Sequence, residues 1–298
     1  MRKTLGFVAI GLWLVAGLGA GQGTRIPLES PPFVEFFPNA GFPQGPAVDR
    51  RGHVFFAAKD AVLEADERGN LLQNIYTSGS PAGVTPLGNG NFAVTDAGLK
   101  AVLELRGDGF FKLLATEFQG DRFKAPGDVV AHRDGRIYFA DPVNSSKANA
   151  SGRVYLIQPG GKVDLFADGL RFPNGLALGL DGKSLFVAET ATGKIIRWSL
   201  KPDGSAGDRS DFAELDATEG GPDGIRFDAI GNLWVAHFGT GEVVAINKEG
   251  RLARRLAVGG QQPTDLVFTG TSLLVTEAEQ HRIVRFELGI RGARMPAG

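Results

Sequence analysis

Apolar and polar positions alternate along the chain in short runs separated by turn residues, and this unit recurs. In one copy, the corner Pro173-Asn174-Gly175 precedes a run of small and apolar residues, a turn at Asp181-Gly182 and a bulky run at Leu185-Phe186-Val187. Gly, Asn and Asp tolerate the positive φ of tight hairpins, so these positions predict turns between strands. No later stretch keeps an i, i+3, i+4, i+7 apolar pattern long enough for a helix. We therefore predict an all-β protein.

Six corners share one pattern, in which a proline is followed by a variable residue and then by Gly or Asp. They are Pro43-Gln44-Gly45, Pro81-Ala82-Gly83, Pro126-Gly127-Asp128, Pro173-Asn174-Gly175, Pro222-Asp223-Gly224 and Pro263-Thr264-Asp265. Successive prolines of this set are about 40–50 residues apart, a period typical of propeller blades. The sequence predicts a six-bladed β-propeller, with five or seven blades as the alternative because the second unit fits least well.

The sixth unit lacks a fourth strand after Phe286-Glu287-Leu288. The segment Phe33-Val34-Glu35-Phe36-Phe37 precedes the first corner and resembles the fourth strand Val163-Asp164-Leu165-Phe166-Ala167 of the third unit. An unpaired edge between the first and last blades would be open to other chains. We predict that this N-terminal strand completes the last blade and closes the ring.

The first residues have the pattern of a secretory signal peptide. Met1-Arg2-Lys3-Thr4 is basic, and residues 5–20 carry no charge but are short for a membrane span. We predict a signal peptide over 1–22, a single propeller domain over 23–298, and export to the periplasm or the medium with no stable membrane span after cleavage. An uncleaved N-terminal anchor is the alternative. The chain has 0 Cys, which excludes disulfides and thiol chemistry.

Composition removes several classes of function. The net charge is −1 and there is no basic block, so we expect no nucleic-acid partner. No Gly-x-Ser-x-Gly elbow, dinucleotide fingerprint or phosphate loop is present. We expect a small-molecule ligand, and the sequence leaves the oligomeric state open.

The topology of a blade places chemistry at one end of the ring. Four antiparallel strands put the start of the first strand and the end of the second on one face. The ends of the second strands read Ala58, Asp96, Asp141, Glu189, His237 and Glu277. In the corners, Gln44, Asn174 and Asp223 offer two amide oxygens and a carboxylate, which suit a hard cation such as Ca²⁺. The alternatives are turn caps for the corner residues and backbone hydrogen bonding for the second set.

Three segments resemble those of the senescence-marker-protein (regucalcin)/gluconolactonase/luciferin-regenerating-enzyme-like family. They are Phe172-Pro173-Asn174-Gly175-Leu176-Ala177, Gly221-Pro222-Asp223-Gly224-Ile225 and Gly231-Asn232-Leu233-Trp234-Val235-Ala236. The resemblance extends over about Phe33 to Leu288. It implies a six-bladed propeller with a divalent cation, usually Ca²⁺, in the axial channel, and hydrolysis of lactones; similar propellers hydrolyse phosphotriesters.

The family's cation is typically held by a Glu in the first corner, an Asn in the fourth and an Asp in the fifth, which fall on Gln44, Asn174 and Asp223. Gln44 removes a negative charge, so Ca²⁺ binding should be weaker, and oxygen ligands also suit Mg²⁺, Mn²⁺ or Zn²⁺. The third corner usually carries Asn-Asp, whereas this chain has Gly127-Asp128, which leaves room for water.

The resemblance also implies a mechanism and its residues. A cation would polarise a lactone carbonyl, and Asp223 would act as ligand and as base for water. From their position at the ends of the second strands, His237 and Glu189 are further base candidates, and a loop histidine that lines the rim is the alternative for His237. We assign Asp223 and His237 as catalytic candidates, and Gly127, Asp128, Glu189 and Thr264 to a substrate pocket.

The sequence thus favours an exported metal-dependent hydrolase of the gluconolactonase type, a lactonase or esterase. The alternative is a non-catalytic exported propeller that binds a protein, peptide or glycan on its top face, because fold does not dictate activity. A third interpretation, a sugar dehydrogenase with a quinone cofactor, would require a histidine base and more Arg and Lys residues in the channel.

Overall fold

The computed structural model describes residues 26–142 and 144–293, and these residues form strands, turns and loops. The expected signal peptide over 1–22 lies outside the described residues. Two strands, β1 (Leu28–Glu29) and β2 (Phe33–Phe37), precede the first corner. Within the described ranges there is no helix of the length and apolar character that a membrane span needs.

The first three blades follow in chain order, each an antiparallel sheet of consecutive strands. Blade 1 comprises β3 (Pro43–Val48), β4 (Val54–Ala58), β5 (Ala61–Ala65) and β6 (Leu71–Tyr76). Blade 2 comprises β7 (Pro81–Pro86), β8 (Phe92–Asp96), β9 (Ala101–Leu105) and β10 (Phe111–Ala115), followed by a hairpin of β11 (Glu117–Phe118) and β12 (Asp121–Arg122). Blade 3 comprises β13 (Val129–Ala131), β14 (Ile137–Asp141), β15 (Gly152–Ile157) and β16 (Val163–Leu170).

The remaining blades repeat the arrangement. Blade 4 comprises β17 (Pro173–Leu178), β18 (Ser184–Glu189), β19 (Lys194–Leu200) and β20 (Ala206–Glu214). Blade 5 comprises β21 (Gly221–Phe227), β22 (Leu233–Phe238), β23 (Glu242–Ile246) and β24 (Leu252–Ala257). Blade 6 contains β25 (Pro263–Thr269), β26 (Ser272–Glu277) and β27 (Arg282–Glu287). The inner strands contact one another in the order β3, β7, β13, β17, β21, β25 and back to β3, so the predicted six-bladed propeller is confirmed.

The N-terminal strand β2 is the fourth strand of blade 6, as predicted. The sheet runs β2-β27-β26-β25, and Phe33 pairs with Phe286 in the antiparallel ladder. Phe36 and Phe37 are buried between blades 6 and 1, where the Phe37 ring meets the Phe56 ring edge-on at 5.0 Å. The first and last blades are therefore joined by strand pairing as well as by apolar contact.

A second N-terminal contact was not foreseen from the sequence. Strand β1 pairs in parallel with β24 at the outer edge of blade 5. The Glu29 carboxylate accepts two hydrogen bonds from Arg254, from Nε at 2.9 Å and from Nη2 at 2.6 Å. The N-terminal arm thus runs along the rim from blade 5 to blade 6.

The core is divided among the interfaces between blades. Each of the six interfaces holds a cluster of buried apolar side chains, for example Leu185 and Trp198 of blade 4 against Tyr138 of blade 3. Strands buried on both faces explain why the second strands read as nearly continuous apolar runs. Apolar packing between blades holds the ring together, so the polar side chains of the inner strands are not needed for that packing and can line the axis.

Candidate functional site

Five of the six corners lie at register shifts of the inner strands, and the third, Pro126-Gly127-Asp128, directly precedes β13. In blade 4 the ladder register shifts between Pro173 and Leu176, and in blade 5 between Pro222 and Ile225. A bulge of this kind leaves its residues outside the ladder and re-aims a side chain. The corner pattern of the sequence therefore places one variable residue of each blade at the axis.

The variable corner residues meet around one small axial cavity of about 30 Å³. Its lining residues are Gln44, Gly45, Ala82, Gly127, Asp128, Asn174, Asp223, Gly224, Thr264 and Asp265. Such a volume is on the order of that needed for a single water or ion. The structure therefore brings together all three predicted cation ligands, and with them three of the predicted pocket residues.

Glycine at the third corner position permits this convergence. A Cβ at Gly175 would lie 2.8 Å from the Cα of Gly224 in the next blade and would overlap the Asp223 carbonyl oxygen. A Cβ at Gly224 would lie 2.5 Å from the Cα of Asp265. Real Cβ atoms do not approach backbone so closely, so a hydrogen is required at both positions. The close approach brings Asn174 and Asp223 to the same cavity.

Hydrogen bonds also link neighbouring corners. Asn174 Nδ2 donates to Thr190 Oγ1 at 3.4 Å, and Thr190 Oγ1 donates to the carbonyl oxygen of Pro222 at 2.7 Å. The buried Thr264 donates from Oγ1 to the carbonyl oxygen of Pro43 at 2.6 Å. The Asn174 amide oxygen is not used in these bonds and is available to a ligand in the cavity.

Two corners carry Asp where the others carry Gly, and one arginine lies between them. The Arg226 guanidinium contacts Asp128 Oδ2 from Nη1 at 3.4 Å and Asp265 Oδ2 from Nη2 at 3.2 Å. Nη1 also donates to the carbonyl oxygens of Leu176 at 3.2 Å and Ile225 at 2.8 Å. The sequence analysis assigned nothing to Arg226 or Asp265. A visible signal was the charge of Arg226 within the otherwise apolar stretch Ile225-Arg226-Phe227.

The axis holds more acidic than basic side chains. Three carboxylates, from Asp128, Asp223 and Asp265, face one guanidinium, from Arg226. Burial, reinforced by the charges of Asp265 and Asp128, raises the pKa of Asp223 well above its usual range. Burial also raises the pKa of Asp265 to about 7, although the charge of Arg226 opposes the rise. A bound cation would relieve the cost of keeping these carboxylates ionised.

These raised pKa values predict how the stability of the cation-free protein depends on pH. In the unfolded chain both carboxyl groups ionise near their usual pKa of 3.8, whereas folding holds their protons to higher pH. The free energy of unfolding should therefore fall as the pH rises from about 4 to about 7. Thermal melts in chelator across this range test the prediction. Saturating Ca²⁺ should flatten the decline, and a steady rise in melting temperature over this interval in chelator would contradict it.

The acids that end the second strands bind backbone instead. Each acid accepts a hydrogen bond from a backbone N–H that lies one residue before the corner proline, or two residues before it in the case of Glu189. The bonds are Ser80 N–H to Asp96 (2.7 Å), Ala125 N–H to Asp141 (2.9 Å), Arg171 N–H to Glu189 (2.7 Å) and Gln262 N–H to Glu277 (3.0 Å). These acids hold the loop that leads into each corner.

The remaining predicted site residues lie beside this loop framework. Glu189 also accepts a hydrogen bond from the Thr192 hydroxyl. His237 is buried and pairs with Pro222 across the blade 5 ladder, and its Nε2 lies 2.6 Å from the Asp216 carbonyl oxygen. Neither Glu189 nor His237 is among the described residues that line the axial cavity. The structure thus separates these two from the other predicted site residues.

A second group of potential metal ligands lies in blade 1, at the opposite end of the inner strand from Gln44. Ligand atoms of Asp49, His53 and Glu64 lie within 4.8 Å of one another. Arg51 binds two of them, with Nε 2.7 Å from Asp49 Oδ2 and Nη2 2.9 Å from Glu64 Oε1. The guanidinium already neutralises these carboxylates, which makes the group a poorer cation site than the axis.

The structure is a six-bladed β-propeller whose candidate site is an axial cavity lined by residues of the six corners. The chain belongs to the SMP-30/gluconolactonase/LRE-like family, whose model matches residues 76–279. This confirms the resemblance noted from the three segments of blades 4 and 5.

Similar proteins include enzymes of two kinds and a calcium-binding protein. The chain is 25% identical to a diisopropyl-fluorophosphatase of Loligo vulgaris, over 88% of this chain and 94% of that protein. It is 29% identical to a pentonolactonase of Haloferax volcanii, over 51% of this chain and 52% of that protein, so the match spans about half the length of this relative. A solved structure of regucalcin from Agrobacterium tumefaciens, described as a calcium-binding protein, matches with a TM-score of 0.72 and 20% identity over 87% of this chain and 97% of that one.

Proposed function

We propose that the protein is a divalent-cation-dependent hydrolase that opens lactones or related carboxylic esters at the axial cavity. The observation that carries the proposal is the convergence of Gln44, Asn174 and Asp223 on one small cavity that holds excess negative charge. Relatives whose names denote a pentonolactonase and a fluorophosphatase support hydrolysis as the reaction class.

The residues of the cavity fit a hard divalent cation. Gln44 and Asn174 offer amide oxygens and Asp223 offers a carboxylate, and these oxygen donors suit Ca²⁺, Mg²⁺ or Mn²⁺. Asp128 and Asp265 also line the cavity, but the Arg226 guanidinium engages one oxygen of each. We take Ca²⁺ as the first candidate because the regucalcin structure is described as calcium-binding.

When bound, a divalent cation would supply a Lewis acid that polarises the ester carbonyl. The residues of the cavity would have two separate roles, binding the ion and accepting a proton. Gln44, Asn174 and Asp223 would hold the ion, and the Asp223 carboxylate would also receive the proton of the attacking water. Asp223 is better placed than His237, whose Nε2 faces the Asp216 carbonyl oxygen instead of the cavity.

Blades 2 and 3 present small residues to the axial cavity. Their corners present Ala82 and Gly127, which bring no polar side chain into the cavity. A Cβ at Gly127 would have its nearest neighbour, Pro142 Cδ, at 3.7 Å, so glycine is not required there by packing. We propose that the ester enters on this side of the axis.

The proposal is tested by metal analysis and hydrolysis assays on the purified chain. We expect one tightly bound divalent cation per chain, hydrolysis of simple lactones, and loss of that activity in chelator with recovery on adding Ca²⁺. Organophosphates assayed in parallel, a fluorophosphate among them, would show whether the reaction is that of the fluorophosphatase instead. A metal-free protein, inert toward both classes, would favour the non-catalytic binding protein.

Replacing Gln44 by Glu is expected to tighten cation binding. The substitution keeps the length of the side chain and adds a negative charge to the cavity, and cation affinity follows ligand charge. We expect the Kd for Ca²⁺ to fall by roughly tenfold or more, measured by isothermal titration calorimetry. Gln119→Glu, on an exposed turn, is the matched control and should leave the Kd unchanged. An unchanged Kd in Gln44→Glu would remove Gln44 from the ligand set.

We also propose that the protein is exported. The support is the basic head and the uncharged run within residues 1–22. Cell fractionation with N-terminal sequencing of the purified protein tests this. A cytoplasmic protein that retains Met1-Arg2-Lys3-Thr4 would overturn it.

A further inference from the structure

Arg226 is an unusual residue for an inner strand, because it is charged and buried at the centre of the ring. Its side chain is 7% exposed, as is that of Asp128, and that of Asp265 is 5% exposed. Long cationic side chains are almost never so buried unless they are paired. Its partners come from two other blades, Asp128 from blade 3 and Asp265 from blade 6.

The Arg226 guanidinium reaches the proposed cation site through its two carboxylate partners. Both of its carboxylate partners line the small axial cavity together with Asp223. On the other side, Arg226 lines a second cavity of about 50 Å³ whose described lining is otherwise uncharged, with Val130, Leu176 and Phe268 among its residues. The charge of Arg226 is therefore presented to the cation site and to no acid below it.

The numbers of acidic and basic side chains determine the net charge of the site. When all three aspartates are ionised, as a bound cation favours, Asp128, Asp223 and Asp265 contribute three negative charges and Arg226 one positive charge, which leaves two negative charges in excess. A divalent ion balances that excess. In a poorly hydrated axis a single uncompensated charge interacts strongly with an ion a few ångströms away, so the count matters.

We propose that Arg226 sets the valence selectivity of the axial site: its fixed charge reduces the negative charge of the three aspartates to the amount that matches a divalent ion. Arg226 is thus a positioning residue that acts through Asp128 and Asp265, and the inference rests on the cation site of the proposed function. Arginine suits the role because its guanidinium stays ionised and engages both carboxylates at once.

The test compares binding of Ca²⁺ and La³⁺ to the full chain by isothermal titration calorimetry. Arg226→Met raises the excess to three negative charges, so the preference for La³⁺ over Ca²⁺ should increase by at least about tenfold. Arg226→Lys keeps the charge, so it should keep the wild-type preference even if the melting temperature falls. A purely structural role would lower stability in both variants without changing the preference.

If Arg226→Met does not fold, a second pair of variants tests the same inference. Asp265→Asn leaves one excess negative charge, and the double variant Arg226→Met/Asp265→Asn restores two without a buried unpaired acid at that position. The preference for La³⁺ should be lower than wild type in the single variant and return to near the wild-type value in the double variant. Equal preferences in these proteins would overturn the inference while leaving the hydrolase proposal intact. A wild-type protein that binds neither ion would overturn both.

Discussion

Asp223→Asn is expected to lower kcat/KM for lactone hydrolysis by about 10²–10³-fold while raising the melting temperature of the cation-free protein. The substitution keeps the size of the side chain and one oxygen donor, but it removes the charge that faces the cation and the group that accepts the proton of water. Loss of one preorganised electrostatic partner at a reacting centre has an effect of this order. Stability should change in the opposite direction, because burial and two neighbouring acids disfavour the ionised Asp223 in the absence of a cation.

The opposing signs make this experiment informative. A residue that merely maintained the fold would lose activity and stability together. Melting temperatures in chelator, with kcat and KM in saturating Ca²⁺, give the two readouts. Asp168→Asn, on the exposed outer strand of blade 3, is the matched control and should leave both unchanged. Full activity in Asp223→Asn would exclude Asp223 as ligand and as base.

Deleting residues 26–37 is expected to prevent the chain from folding into a stable ring. The deletion removes β2 from blade 6, together with Phe36 and Phe37, which are 5% and 7% exposed. Truncating a buried Phe costs about 3–5 kcal/mol, and whole domains are stable by only about 5–15 kcal/mol. Loss of both rings and of the ladder to β27 therefore consumes most of the stability and exposes an edge strand that promotes aggregation.

A shorter deletion separates ring closure from the rest of the N-terminal arm. Removing residues 26–30 takes away β1 and the Glu29–Arg254 ion pair at the rim of blade 5 but leaves β2 in place. That ion pair is partly exposed and worth about 1 kcal/mol or less, so this variant should remain folded. Circular dichroism melts and the soluble yield of both variants provide the comparison. A deletion of 26–37 that melted like the wild type would show that apolar contact alone closes the ring.

The sequence predicted the strands and the ring because the relevant signals are local. Period-2 alternation, hairpin turns such as Asp181-Gly182 and the corner pattern are each contained within a few residues. The recurrence of the corners supplied the number of blades, and the missing last strand supplied the role of Phe33–Phe37. The convergence of Gln44, Asn174 and Asp223 followed from the same pattern, since one position per repeat occupies an equivalent place in the ring.

The prediction of site residues was weaker for acidic residues, because an acid can either line a pocket or accept hydrogen bonds from the backbone. The second strands end in acids, and from the sequence these fit either a pocket or the backbone. The structure shows Glu189 accepting a hydrogen bond from the N–H of Arg171, with corresponding bonds at Asp96, Asp141 and Glu277. Which donors reach a carboxylate depends on how the loop folds back over the strand, and no spacing in the sequence reports that.

The amino-acid sequence by itself therefore determined the repeating unit, the number of blades, the closing strand and the side chain that each corner turns toward the axis, because these depend on neighbours within one blade. Only the tertiary structure decided that Arg226 binds Asp128 and Asp265, residues far apart in the chain that meet when three blades close around the axis. The charge of the axial cavity is a sum over the whole ring, and it is defined only once all the blades are in place.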